Sequence, residues 1–145
     1  MLPDHVVVPI DFSDPAEHAL DYACQLAGKL GATIHLVNAI GLIGDLPLSQ
    51  QMIDEIGGER RRALEELAAR RRERATFGPP IVEVADPRDA ILDAVEKVGA
   101  ELIVMSTHGR RGLSRVLLGS VAESVIRRAP CPVLVVRPVE KGGAS

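Results

Sequence analysis

The chain has 145 residues, 46% apolar and 26% charged, with a formal net charge of −3 and only 2% aromatics. A chain of this size buries roughly 68–70% of its unfolded surface, so it fits one domain whose core needs no disulfide or metal staple. Mild acidity and the scatter of Phe12, Tyr22 and Phe77 argue against nucleic acid and anionic lipid, which call for a basic field or aromatic stacking platforms.

No apolar run approaches the ~20 residues of a membrane span. Met1-Leu2-Pro3-Asp4 brings neither a basic region nor a cleavage site, so a soluble, cytoplasmic protein is expected. Cys24 and Cys131 are too few for a disulfide framework or a zinc site and read as small buried thiols in a reducing compartment.

His5 to Ile10 is β-branched and almost wholly apolar, as a strand covered on both faces should be. Asp14-Pro15-Ala16-Glu17 then reads as a helix start, with Asp14 as N-cap candidate and proline at the first helical position. Ala19, Leu20, Ala23, Cys24, Ala27 and Leu30 recur at helical spacing and predict a helix over 14–30, closed near Gly28 and Gly31. Ala32 to Asn38 is the second strand, and Gly41 to Ser49 a loop. A long polar helix is expected from there to about Arg74. Its triplets Arg60–Arg62 and Arg70–Arg72 alternate with Glu59, Glu65, Glu66 and Glu73, the pattern of a solvated, ion-paired face.

Phe77-Gly78-Pro79-Pro80 reads as a turn and Ile81 to Val84 as a strand near a sheet edge. Asp86-Pro87-Arg88-Asp89 repeats the first helix start, with Ala90, Ile91, Ala94, Val95 and Val98 as the apolar face behind it. Leu102 to Met105 is a buried strand, and Ser106 to Leu118 a long Gly/Arg connection. Ser120 with Glu123 forms a capping box ahead of Val121, Ala122, Val125 and Ile126. Pro130 ends that helix and Val133 to Val136 is the last strand.

Strands separated by crossover helices predict a single doubly wound α/β domain: a Rossmann-like, five-stranded parallel sheet with helices on both faces. In such sheets ligands bind beyond the carboxyl ends of the strands, where strand order reverses. Functional residues are therefore expected at Asp11, Asn38-Ala39, Ala85-Asp86 and Ser106 to Gly109. Two of those ends stand out. Pro9-Ile10-Asp11-Phe12-Ser13 puts a carboxylate at the mouth of the sheet. Met105 to Gly112, followed by Gly119-Ser120, offers glycines that admit an anion to the backbone and a helix start with unpaired N–H donors. Arg110, Arg111 and Arg115 are candidate charge partners for a phosphate. From spacing alone, Gly109 and Gly112 read equally well as turn formers and Ser120 as a simple cap. His108 reads either as a ligand contact or as a turn residue, while His5, His18 and His35 read as structural or solvated.

Taken together, Pro9-x-Asp11-x-Ser13, Leu102-Ile103-Val104-Met105, Thr107-His108-Gly109-Arg110, Gly112-Leu113, Leu117 to Glu123 and Ala129 to Val136 resemble a universal stress protein. The resemblance runs over essentially the whole chain. It implies an adenine nucleotide alpha hydrolase-like domain over residues 1–138 and a homodimer; residues 139–145, ending in Lys141-Gly142-Gly143-Ala144-Ser145, read as a disordered tail. The dimer would form through Val133, Leu134, Val135, Val136 and Arg137. That last strand also lacks an internal proline or charge to guard an open edge.

One branch of the family binds ATP through Gly-x2-Gly-x9-Gly-Ser/Thr. Gly109 matches its second glycine, and Gly119 and Ser120 match its end, whereas Ser106 stands where the first glycine would be. The resemblance further implies nucleotide contacts from Asp11, flanked by Pro9 and Ile10, from Ala39 and Met105 beside adenine or ribose, and from Val121 as another backbone donor. Mg²⁺ would be carried on the phosphates, which Asp11 could help hold, since that ion prefers oxygen ligands and keeps several waters.

The expected function is an ATP-dependent switch or signalling module of a stress response. No catalytic residue is assigned and at most slow ATP hydrolysis is expected, because no attacking-water base or charge-neutralising set is evident. The alternative is a dimeric interaction module of the same fold in which Ser106 reports a lost nucleotide site. An adenylyl-transfer enzyme would need basic catalytic motifs that the chain lacks.

Overall fold

Parallel strands and crossover helices alternate as the apolar runs predict. The computed structural model describes residues 2–41, 47–108 and 118–137. The elements are β1 (His5–Pro9), α1 (Asp14–Leu30), β2 (Thr33–Ile40), α2 (Gln50–Ala69), β3 (Thr76–Phe77), β4 (Ile81–Val84), α3 (Pro87–Val98), β5 (Leu102–Ser106), α4 (Ser120–Arg128) and β6 (Val133–Val136).

The strands are all parallel and lie in the order β3-β2-β1-β5-β6, with β4 also paired to β2. From β1 the chain builds outward through β2, then crosses to the other side of β1 and builds β5 and β6. Strand order therefore reverses between β1 and β5. Alternate side chains enter two cores. Val6, Val8, Ile34 and Leu36 pack with Leu20, Cys24 and Leu64 under α1 and α2. Val7, Val37, Ile103 and Met105 pack with Ile91, Val95, Ala122 and Val125 under α3 and α4. Each fully buried valine or leucine contributes about 1.5–3 kcal/mol, which is why these strands read as unbroken apolar runs.

Several boundaries differ from the sequence expectation, each for a local reason. Six strands are described rather than five, because Thr76 and Phe77 pair with Thr33 and Ile34. The expected turn from Phe77 to Pro80 shrinks to Gly78-Pro79-Pro80, where prolines without N–H groups interrupt the edge before β4 resumes on Val37 to Ile40. Strand β2 runs on to Ile40, so Asn38 and Ala39 lie within it rather than after it. Helix α1 is capped by Ser13, whose hydroxyl accepts from the Ala16 N–H, and Asp14 is its first residue. It passes through Gly28 and ends at Gly31 in the left-handed region (φ 71°).

Helix α2 stops at Ala69, short of Arg74. The turns that follow carry Arg71 inward, 7% exposed, and with half-buried Arg60, which bonds to Asn38, it departs from the solvated arginine face. The Arg71 guanidinium donates to Asp21 at 2.8 Å, to the Leu67 carbonyl at 3.0 Å and to Glu17 at 3.4 Å. Helix α4 is capped by Gly119 with no side-chain capping bond, so Ser120 and Glu123 form no capping box. Glu123 instead pairs with Arg127 one turn on, at 2.9 Å. Cys24 is buried and Cys131 half-buried, both as free thiols. No helix among the described residues is long and apolar enough to cross a membrane.

Candidate functional site

The strand-order reversal opens a cleft of about 390 Å³, within the range of roughly 300–1,000 Å³ usual for small-molecule sites. Its walls are Pro9, Ile10 and Asp11 after β1, Val37 to Ala39 of β2, Met105 to His108 at the end of β5, and Gly119 to Ala122 at the start of α4. Ala16 of α1 and Pro87, Ala90 and Ile91 of α3 complete the lining.

Of the residues expected from sequence, Pro9, Ile10, Asp11, Ala39, Met105, Ser106, His108, Gly119, Ser120 and Val121 all line this one cleft. Gly109 and Arg110 lie outside the described residues, as do Gly112 and the candidate phosphate partners Arg111 and Arg115. Ala85 and Asp86 do not line it; the Asp86 carboxylate caps α3 by accepting from the Arg88 N–H at 3.0 Å.

Asp11 is held at the mouth by its successors. Its carboxylate accepts from both the Ser13 N–H and the Ser13 hydroxyl. Phe12 between them takes φ 64°, a left-handed conformation that costs a bulky residue about 1–3 kcal/mol. That sharp turn lets β1 deliver Asp11 to the cleft and still enter α1 at once.

On the other wall, the Gly119 N–H donates to the Thr107 carbonyl at 2.7 Å. A Cβ at Gly119 would stand 3.1 Å from that same oxygen, so glycine permits the close approach of helix start to strand end. With its N–H occupied, the donors that a helix start leaves without intrahelical partners are those of Ser120, Val121 and Ala122. Ser106, at the departed glycine position, donates its hydroxyl to the His108 carbonyl at 2.6 Å. The His108 ring lies 3.1 Å from the Thr107 hydroxyl through Nδ1, while its buried Nε2 meets no hydrogen-bond partner among the described residues.

Asn38, buried in the cleft wall, is held by two polar contacts. The Asn38 amide donates to the Ile10 carbonyl at 2.7 Å and accepts from Arg60 at 2.9 Å. His5 and His35 lie at the opposite end of their strands, ring nitrogens 3.0 Å apart, and take no part in the cleft. Burial, and then the His5 charge, lowers the His35 pKa.

The sequence model of the Universal stress protein family matches residues 3–137. The chain belongs to the universal stress protein family. It is 33% identical over 147 residues to universal stress protein MJ0531 of Methanocaldococcus jannaschii, covering 94% of this chain and 83% of that protein. A solved universal stress protein in complex with cAMP superposes with a TM-score of 0.70 and 26% identity, covering 94% of this chain and 98% of the other. The universal stress protein of Archaeoglobus fulgidus in complex with dAMP gives 0.66 and 28%, covering 93% of this chain and 98% of the other.

Sequence reasoning gave some residues in or behind the cleft wall of this universal stress protein no role there. Ala90 and Ile91 carried only a core signal, yet they also face the cleft. Asn38, by contrast, was expected there, but after a strand end; it lines the cleft from within β2. Arg60 left no signal that set it apart from its neighbours in Arg60-Arg61-Arg62.

Proposed function

We propose that the cleft binds an adenine nucleotide, ATP, and that the protein works as a nucleotide-dependent switch or signalling module of a stress response. The observation that carries this reading is the convergence, at the strand-order reversal, of a carboxylate on one wall and a glycine-led helix start on the other. Binding of cAMP and dAMP by two solved relatives supports the adenine-nucleotide class.

In this reading Ala39 and Met105 border the base or ribose, and Asp11 accepts from ribose hydroxyls or oriented waters beside Pro9 and Ile10. The phosphates lie against Ser120, Val121 and the Gly109 segment, with Arg110 as their charge partner and Gly119 giving the close approach. Ser106 closes β5 and His108 lies in the loop that begins after it. Its hydroxyl being committed to the His108 carbonyl, Ser106 organises the loop rather than reaching into the phosphate space. Mg²⁺ would travel on the phosphates, since no group of three or more metal-ligating side chains occurs among the described residues. Hydrolysis, if any, is slow.

The protein is a homodimer in the same reading. Strand β6 ends the sheet order, and Val133, Leu134 and Val135 remain half-buried, with Arg137 exposed and Val136 already covered. A second copy pairing along this edge under a two-fold axis would satisfy its backbone groups and cover its apolar side chains. The direct test is to denature freshly purified protein and analyse the supernatant for ATP or ADP. Released adenine nucleotide supports the reading. Protein that neither carries nor takes up adenine nucleotide leaves a dimeric interaction module instead.

A further inference from the structure

Asn38 is 3% exposed in the middle of β2, where every other buried position but His35 is apolar. A buried amide is costly unless its oxygen and its N–H groups are both matched. Here the N–H side is matched by the Ile10 carbonyl at 2.7 Å and the oxygen by the guanidinium of Arg60, reaching across from α2, at 2.9 Å.

The target of that amide is telling. Ile10 is the first residue past β1, and its N–H is already tied to the Val37 carbonyl at 2.8 Å. The Asn38 amide fixes its carbonyl as well. Because the peptide unit is planar, fixing the Ile10 carbonyl fixes the plane from which Asp11 departs. Arg60 itself does not line the cleft. Among the described residues its one hydrogen bond into the site is to the Asn38 oxygen. Without it that oxygen must find water, and the amide is drawn off Ile10.

We propose that Arg60 is a positioning residue, acting through Asn38 and the Ile10 carbonyl to hold Asp11 in the geometry that binds nucleotide. Affinity at the β1 side of the cleft is then governed from α2, a helix that contributes no residue to the lining. The proposal rests on the adenine-nucleotide reading given above.

The test is a double-mutant cycle in ATP affinity, read by titration calorimetry on wild type, Arg60→Leu, Asn38→Leu and the double variant. Arg60→Leu is expected to weaken ATP by about 5- to 30-fold, and to add less than about two-fold once Asn38 is already leucine. A shift of the Asn38 carboxamide resonances in ligand-free Arg60→Leu, seen by ¹⁵N NMR, is expected alongside. If Asn38→Leu fails to fold, Asn38→Ala takes its place in the cycle. Equal, additive losses in both backgrounds overturn the proposal, because Arg60 would then act on ATP by its own charge. So do an unchanged Arg60→Leu affinity and unmoved Asn38 resonances. A wild type that binds no ATP overturns the nucleotide reading and the proposal together, whereas a binding wild type with an inert Arg60 overturns the proposal alone.

Discussion

The Gly119 N–H donates to the Thr107 carbonyl at 2.7 Å, an approach that a side chain at Gly119 would crowd. This bond fastens the start of α4 to the end of β5, so that the donors of its first turn stand beside the strand ends. Gly119→Ala puts a Cβ 3.1 Å from the Thr107 oxygen and replaces a good N-cap residue with a poor one. The expected cost is about 1 kcal/mol, or roughly 3–5 °C in melting temperature, with weaker ATP binding. Calorimetric melts and titrations check both. Unchanged affinity would detach this contact from the binding site.

Asp11→Ala is expected to weaken ATP by roughly 10- to 150-fold, the worth of one hydrogen bond to a charged group. The carboxylate also accepts from Ser13, the cap of α1, so a loss of about 1 kcal/mol in stability should accompany it. Titration calorimetry and circular dichroism separate the two effects. An unchanged Kd would exclude Asp11 as a ligand group, and a collapsed spectrum would make its role structural.

Val135→Lys places a charge in the half-buried middle of the edge strand β6. Sedimentation at micromolar concentration is expected to give twice the 15.5 kDa chain mass for wild type, and a monomer or aggregate for the variant. A monomeric wild type would remove the dimer. A dimer that survives Val135→Lys would move the interface elsewhere.

His35 gives the fold a pH dependence of predictable sign. Burial lowers its pKa from the ordinary 6.5, and the His5 charge lowers it further. The unfolded chain therefore takes up the proton more readily than the folded one. Its contribution is complete above the unfolded value and is lost as pH falls from there toward the depressed folded value. His35→Gln should flatten urea-derived stability between about pH 7 and pH 5. A slope as steep as that of wild type would assign the effect to other groups. Gly78→Ala should act on the same ring, since its Cβ would meet His35 Nδ1 and Cε1 at 2.7 Å.

The layered architecture was legible because Val6 to Val8, Leu102 to Met105 and Val133 to Val136 are apolar on both faces, a pattern that buried parallel strands require. The place of the cleft followed from it, since Asp11, Ser106 and the Gly119-Ser120 helix start sit where strand ends and a helix start converge, whereas Met105 and Val121 were implied by the family resemblance and Ala39 lies inside β2. The rest depended on contacts made at a distance. Thr76-Phe77 is too short to carry a period and becomes a strand only because β2 offers it an edge. Ser13 and Asp14 are both competent caps, and the bonds from Ser13 to Asp11 accompany the choice between them. Arg71 is indistinguishable in sequence from Arg70 and Arg72, and only the early end of α2 turns it toward Asp21. Arg60 likewise acquires its place from Asn38, 22 residues away.

Thermal melting with and without Mg-ATP tests most directly whether the cleft between β1, β5 and α4 is a nucleotide site. Free ATP at 100-fold its Kd adds about 2.7 kcal/mol by linkage, which for a chain of this size raises the melting temperature by roughly 5–10 °C. That shift, accompanied by a titration-calorimetry signal, is the result predicted. No shift at millimolar Mg-ATP, with calorimetry equally silent, would contradict it.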